Sequence, residues 1–231
     1  MKYIESRKLK NNPFLYEGIE SSVSWVFREK YFYNVLEKQN VKDKKILDIG
    51  CGNGYFLKII NDLGCKNIYG ADIANYSRET SCEFQVVDIN VEKLKWNDDF
   101  FDIITAFQVL EHLENYFLIL QEVTRILKKG GLFIFSIPNQ FNIFYRIKFS
   151  LTGNMSSFSL KNNHLLFLTK DIFEKTYLKN FELVDIFYRK GPVPMLGRLN
   201  IIPGINFPAK TRLMPRNEWF SDRVCYILKK K

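Results

Sequence analysis

Lys45-Ile46-Leu47-Asp48-Ile49-Gly50-Cys51-Gly52-Asn53-Gly54-Tyr55-Phe56-Leu57 decides how the rest of the chain is read. An apolar run of strand type ends in an acid, three glycines follow at alternate positions, and an amphipathic segment over residues 55–63 begins. Strand, glycine turn and helix in that order hold a nucleotide-like ligand at the carboxyl end of a parallel strand. The glycines permit positive φ and remove the Cβ atoms that would keep a ligand off the backbone. Their spacing is Gly-x-Gly-x-Gly, not the Gly-x-Gly-x-x-Gly of the dinucleotide fingerprint, which disfavours a nicotinamide oxidoreductase.

Downstream, residues 67–73 read as a second strand carrying Asp72, and residues 83–89 as a third carrying Asp88. A fourth, over 101–107, leads through Gln108-Val109-Leu110-Glu111-His112 into a helix with Leu113, Phe117, Leu120, Val123 and Leu127 on one face. Lys128-Lys129-Gly130-Gly131 supplies the basic and glycine residues that suit a helix C-terminus. A fifth strand over 132–137 stops at Pro138, a helix over 169–179 has Thr169 as its N-cap, and residues 181–188 and 223–228 give a sixth and a seventh strand. Upstream, residues 1–18 are irregular. Residues 19–39 repeat apolar side chains at helical spacing, with Trp25, Tyr31 and Tyr33 widening the aromatic face. Alternating strands and helices predict an α/β doubly wound, mostly parallel sheet. The expectation is one domain over 1–231, with an N-terminal helical extension (1–40) and insertions at 140–168 and 191–222.

The 231 residues are 46% hydrophobic and 26% charged, an ordinary globular composition. The longest apolar runs fall short of the roughly 20 residues of a spanning helix, and the first residues lack the apolar core of a secretory signal. Cys51, Cys65, Cys82 and Cys225 form no Cys-x-x-Cys pair, which suits a reducing cytoplasm. With two histidines and scattered cysteines, the sequence shows no metal-ligand spacing, and no metal is expected. The net charge of +9 is lopsided: residues 189–231 hold ten Lys and Arg against Glu218 and Asp222, which places +8 of it there. Among prolines and apolar residues, Arg198, Lys210, Arg212 and Arg216 point to an anionic ligand, a membrane surface or nucleic acid.

Three segments together resemble the class I S-adenosylmethionine-dependent methyltransferases, nearest the broad small-molecule and quinone-biosynthesis group. They are Leu47 to Gly54, then Val109-Leu110-Glu111-His112-Leu113, then Leu127 to Gly131. The resemblance implies seven strands in the order 3-2-1-4-5-7-6, the last antiparallel. It implies S-adenosyl-L-methionine as cofactor, with S-adenosyl-L-homocysteine as product. Asp48, Gly50, Cys51, Gly52 and Gly54 would lie at the methionine end. Asp72 and Ile73 would meet the ribose and adenine, Asp88 and Ile89 the adenine edge, and Phe107, Gln108 and Val109 the methyl side. The Asn/Asp-Pro-Pro-aromatic and Pro-Cys motifs of two nucleic-acid methyltransferase classes are absent.

His112 and His164 are the candidates for a base or acceptor-positioning group. Glu111 is expected to bond backbone or to stabilise a helix N-terminus. The aromatic stretch 141–149 reads as a buried lid, with a peripheral membrane contact as its alternative. Aromatics and arginines on the substrate side favour a partly apolar, anionic small molecule or a glycan or lipid intermediate. RNA, or a cofactor-binding module without catalysis, stands as the alternative.

Overall fold

The computed structural model describes Val26 and residues 30–75, 82–155, 157–158, 162–189 and 215–231. The start of the expected N-terminal helix, the side chains of Trp25, Tyr31 and Tyr33, and Arg198, Lys210 and Arg212 lie outside the described residues. Within them, helix α1 (Lys30–Lys38) precedes β1 (Lys45–Ile49), α2 (Tyr55–Asp62), β2 (Asn67–Asp72) and β3 (Glu83–Val86). Next come β4 (Phe101–Phe107), α3 (Tyr116–Ile126), β5 (Leu127–Pro138) and α4 (Ile143–Thr152). The described part closes with α5 (Lys170–Asn180), β6 (Phe181–Tyr188) and β7 (Arg223–Lys230).

The strands form one seven-stranded sheet, ordered β3-β2-β1-β4-β5-β7-β6. Pairing is parallel from β3 across to β5, and β7 runs antiparallel to both β5 and β6. Period-two alternation divides the apolar side chains between the two faces. Leu47, Ile49, Ile104, Ala106, Phe133 and Phe135 pack with α3 and α5. Ile46, Ile103, Phe107, Leu132 and Ile134 pack with Leu36 of α1 and with Phe56, Leu57 and Ile60 of α2. Both faces are covered, which is why the central strands read as nearly continuous apolar runs. The parallel order leaves the carboxyl ends of β1, β2 and β4 open on one edge of the sheet, where the glycine turn sits.

Two expectations change. Helix α3 ends at Ile126, and Leu127 already pairs with Phe101 in the sheet. Lys128 to Gly131 therefore belong to the long strand β5, not to a helix C-terminus. The ladder jumps from Phe101↔Leu127 to Ile103↔Leu132, so these residues bulge opposite Asp102. Lys128 Nζ meets Asp102 Oδ1 at 2.9 Å. A Cβ on Gly131 would lie 2.9 Å from the carbonyl oxygens of Asp102 and Lys128, so the glycine is there for a close backbone approach. Likewise, residues 110–112 form a separate 3-10 turn (Leu110–His112) ahead of α3, and Phe117 is exposed rather than on the buried face.

Candidate active site

The glycine turn is held from the strand beside it. The Gly50 and Cys51 amides both donate to the Ala71 carbonyl, at 2.7 and 3.4 Å. Gly50, Gly52 and Gly54 have φ of 67°, 53° and 84°, a left-handed path that side chains disfavour. At Gly50 a Cβ would stand 2.3 Å from Val109 Cγ2, so this glycine lets the loop after β4 close onto the turn. Gly54 is the N-cap of α2 and does not line the cavity described below; its part is the turn itself.

Asp48 is 4% exposed and accepts a hydrogen bond from the Thr105 hydroxyl at 2.6 Å. Burial raises its pKa to about 8, against the lowering effect of Thr105 and with a further push from Asp72. Asp72 accepts from the Gly52 amide at 2.8 Å and from its own neighbour Ile73 at 2.7 Å. Burial raises the Asp72 pKa too. Asp88 lies two residues beyond the end of β3, and its Oδ1 accepts from the Asn90 main chain and side chain. Gln108 takes a left-handed φ of 56°, fixed by bonds from its amide to the Ser136 carbonyl and from its side chain to Ser136 Oγ.

These groups open on one cavity of about 640 Å³. Asp48, Gly50, Cys51, Gly52, Asp72 and Ile73 line it, as do Asp88, Ile89, Phe107, Gln108 and Val109. The volume lies in the range of small-molecule and cofactor sites. His112 and His164 line its far end, joined by Glu111, Tyr145, Ser157, Asn163 and Arg223.

The far end is assembled by the 139–168 stretch. Buried Asn139 donates to the Glu218 and Ser221 carbonyls, both at 2.7 Å, and buried Asn142 donates to Ser221. The Leu165 amide reaches the Glu111 carbonyl, and so places His164 beside His112 with ring centroids 4.7 Å apart. Asn163 Oδ1 lies 2.6 Å from His112 Nδ1, which assigns the proton to Nδ1 and leaves the lone pair on Nε2. Burial, followed by the neighbouring His164, lowers the His112 pKa to about 4; burial lowers that of His164 as well.

Three features here depart from the sequence reading or add to it. The Glu111 side chain is 1% exposed, and neither carboxylate oxygen makes a well-formed hydrogen bond among the described residues; its own main chain is the one backbone group that acts on it. Burial raises its pKa to about 8. Helix α4 is not a buried lid. None of its residues is buried; Tyr145 faces the cavity, while Ile147, Phe149 and Leu151 are exposed. Among the described residues, the cation that lines the cavity is Arg223, the first residue of β7, next to the Arg189–Asp222 ion pair of 3.5 Å. Arg216 is exposed. A strand-opening arginine carries no local signal, because only the antiparallel register Pro138↔Arg223 brings it here.

The sheet order, the glycine turn and the acids on neighbouring strand ends define a class I S-adenosylmethionine-dependent methyltransferase fold. A family profile described as a methyltransferase domain matches residues 27–181, and the chain belongs to that family. An uncharacterized Methanocaldococcus jannaschii protein is 34% identical over 60% of this chain and 56% of its own length. A Mycolicibacterium smegmatis protein named as a probable S-adenosylmethionine-dependent methyltransferase is 29% identical over 53% of this chain and 49% of its own. A Colwellia psychrerythraea ubiquinone biosynthesis O-methyltransferase is 30% identical over 45% of each. The chain spans about half the length of these curated relatives. In fold it is similar to a chain of a Haloferax volcanii complex that contains a methyltransferase activator, with TM-score 0.61, 16% identity and 94% of each chain covered. The family's cofactor is S-adenosylmethionine, and the cavity suits it. The glycine turn offers close backbone approach, buried Asp48 can face a cation, and strand-end Asp72 can accept from a ribose diol.

Proposed function

We propose that this protein moves a methyl group from S-adenosylmethionine to an oxygen or nitrogen atom of a partly apolar, anionic small molecule or glycan or lipid intermediate. One observation carries the reading: a single cavity runs from the glycine turn and the strand-end acids to the histidines and Arg223. When bound, the cofactor supplies an electrophilic sulfonium methyl that is displaced in line, leaving S-adenosylhomocysteine.

The chain's own residues divide the work. Asp48 offsets the ammonium of the methionine part, and Asp72 takes the ribose hydroxyls. Asp88 and the Ile89 main chain meet the adenine edge. Gln108, locked on Ser136, and Val109 form the wall beside the methyl, where excluding water and aligning the acceptor supply much of the acceleration. Arg223 recognises an acceptor anion. The neutral His112 imidazole presents its Nε2 lone pair to the acceptor, and His164 stands beside it. The O-methyltransferase named among the relatives favours an oxygen acceptor. Among the described residues no helix is long and apolar enough to cross a membrane. The exposed apolar side chains of α4 are consistent with a peripheral contact, which would bring a lipid-linked acceptor within reach.

The test is labelled-methyl transfer from S-adenosylmethionine into fractionated cell extract, with the product identified. Label in an anionic, partly apolar small molecule supports the reading. Label confined to RNA, with affinity falling steeply as salt rises, would replace it.

A further inference from the structure

Glu111, His112 and His164 each offer one ligand atom, and these atoms all lie within 4.8 Å of one another. The chemistry of each is unfinished. Glu111 keeps two carboxylate oxygens without a hydrogen-bond partner in a nearly sealed position. Buried polar atoms are rarely left this way, because each forfeits its solvation without return. His164 Nδ1 is buried without a well-formed hydrogen bond among the described residues, and only the Ser157 main chain lies near its ring. His112 is held the way metal-bound imidazoles are held: its Nδ1–H is fixed by the Asn163 oxygen at 2.6 Å, so Nε2 is turned outward as a lone pair. All three line the acceptor end of the cavity.

We propose that Glu111, His112 and His164 bind one divalent transition-metal ion, zinc or manganese, at the acceptor end of the cavity, where it takes an acceptor oxygen as a further ligand. Two imidazoles and a carboxylate suit such ions and do not suit magnesium, which prefers an all-oxygen, water-rich shell. Bonds of about 2.0–2.2 Å place donors roughly 3 to 4 Å apart, so small side-chain rotations close the cluster around the ion. Three protein donors leave open positions, as in catalytic rather than structural sites. The charges of Asp222 and Glu111 act on Arg223 against that of Arg189, and an anionic acceptor adds to that balance.

The inference rests on the proposed methyl transfer for its purpose. A metal-bound acceptor hydroxyl releases its proton to solvent near neutral pH, as metal-bound water does. The oxygen lone pair then forms the new O–CH3 bond as the S–CH3 bond breaks, and the sulfur keeps that electron pair. No side-chain base is then required.

The experiment is calorimetric titration of the chelator-stripped full chain with zinc chloride and separately with manganese chloride, without cofactor. Cobalt(II) visible absorption reports the ligand field. S-adenosylhomocysteine binding is measured on the same preparations. The expected result is one equivalent of zinc or manganese, weakened at least tenfold in each of Glu111→Gln, His112→Ala and His164→Ala. A weakening of about tenfold is expected in Asn163→Ala, which removes only the outer hydrogen bond. Each variant should keep its S-adenosylhomocysteine affinity, which shows that it is folded. No stoichiometric binding by protein that binds S-adenosylhomocysteine would overturn the metal site and leave methyl transfer standing. Binding equally strong in all three ligand variants would also overturn it, as an adventitious surface site. Metal bound as expected, with no S-adenosylhomocysteine affinity, would uphold the metal site and remove the methyl-donor reading.

Discussion

At Gly50 the backbone sits at φ 67°, and a Cβ would stand 2.3 Å from Val109 Cγ2. Valine is β-branched and stiff, so it cannot swing aside as the end of a long side chain would. Gly50→Ala is expected to lower stability by about 2–4 kcal/mol, from strain plus overpacking. It should also weaken S-adenosylhomocysteine binding at least tenfold; urea unfolding and calorimetry read the two effects. Adding Val109→Ala should restore part of the stability, and a strictly additive loss would show that the two side chains do not meet. Asp48 gives a pH signature. Its pKa of about 8 in the cofactor-free protein lies far above the unfolded value of 3.8. The stability this adds is complete below pH 4 and is lost as pH rises through about 8. Asp48→Asn should therefore flatten the fall of Tm over that window, relative to the parent protein. A cationic ammonium favours ionised Asp48, so S-adenosylhomocysteine affinity should rise with pH up to about 8 and binding should release a proton. Titration in buffers of different ionisation enthalpy counts that proton, and release unchanged in Asp48→Asn would refute the pairing. At this scale the glycine turn and the strand-end acids that line the cavity were legible, because they are local patterns. Glu111, Asn163 and Arg223 were not, because their roles depend on partners brought from distant parts of the chain.

Among the elements, the cavity wall near the histidines depends on buried amides rather than on regular structure. Asn139 binds two carbonyls of the 217–222 segment and accepts the Phe141 amide at 3.0 Å. Asn139→Ala leaves these groups unpaired and should cost about 2–3 kcal/mol. Because Asn139 does not line the cavity, S-adenosylhomocysteine affinity should persist while acceptor turnover falls. A parallel loss of both would mean that the two ends of the cavity are not separable. In the bulge before the body of β5, Gly131→Ala places a methyl against two carbonyl oxygens at 2.9 Å and should destabilise by a similar amount, read by urea unfolding. The sequence marked the strands well, because two buried faces and glycine or proline punctuation leave a local trace. It misjudged Lys128 to Gly131, whose basic and glycine composition suits a helix end as readily as a bulge. The ladder jump opposite Asp102, a long-range fact, decides between them.

Across the whole molecule, one sheet edge gathers the glycine turn of β1, the acids after β2 and β3, and the loop after β4. The stretch after β5 and the start of β7 then add Tyr145, His164 and Arg223 to the lining of the same cavity. The seven-strand order was readable because the three motif segments resemble one family, and periodicity alone would have left the order open. The excess charge of residues 189–231 was visible in the sequence, but composition did not single out Arg223, the cation that lines the cavity among the described residues. Ligand binding should couple to the stability of the entire domain: S-adenosylhomocysteine at 100 times its Kd is expected to add about 2.7 kcal/mol to unfolding. The most direct measurement is calorimetric titration of the full chain with S-adenosylhomocysteine and NAD side by side, repeated on Asp72→Ala. The expected result is one equivalent of S-adenosylhomocysteine, lost or strongly weakened in Asp72→Ala, with no comparable NAD affinity. Tight NAD binding without S-adenosylhomocysteine binding would contradict the methyl-donor site.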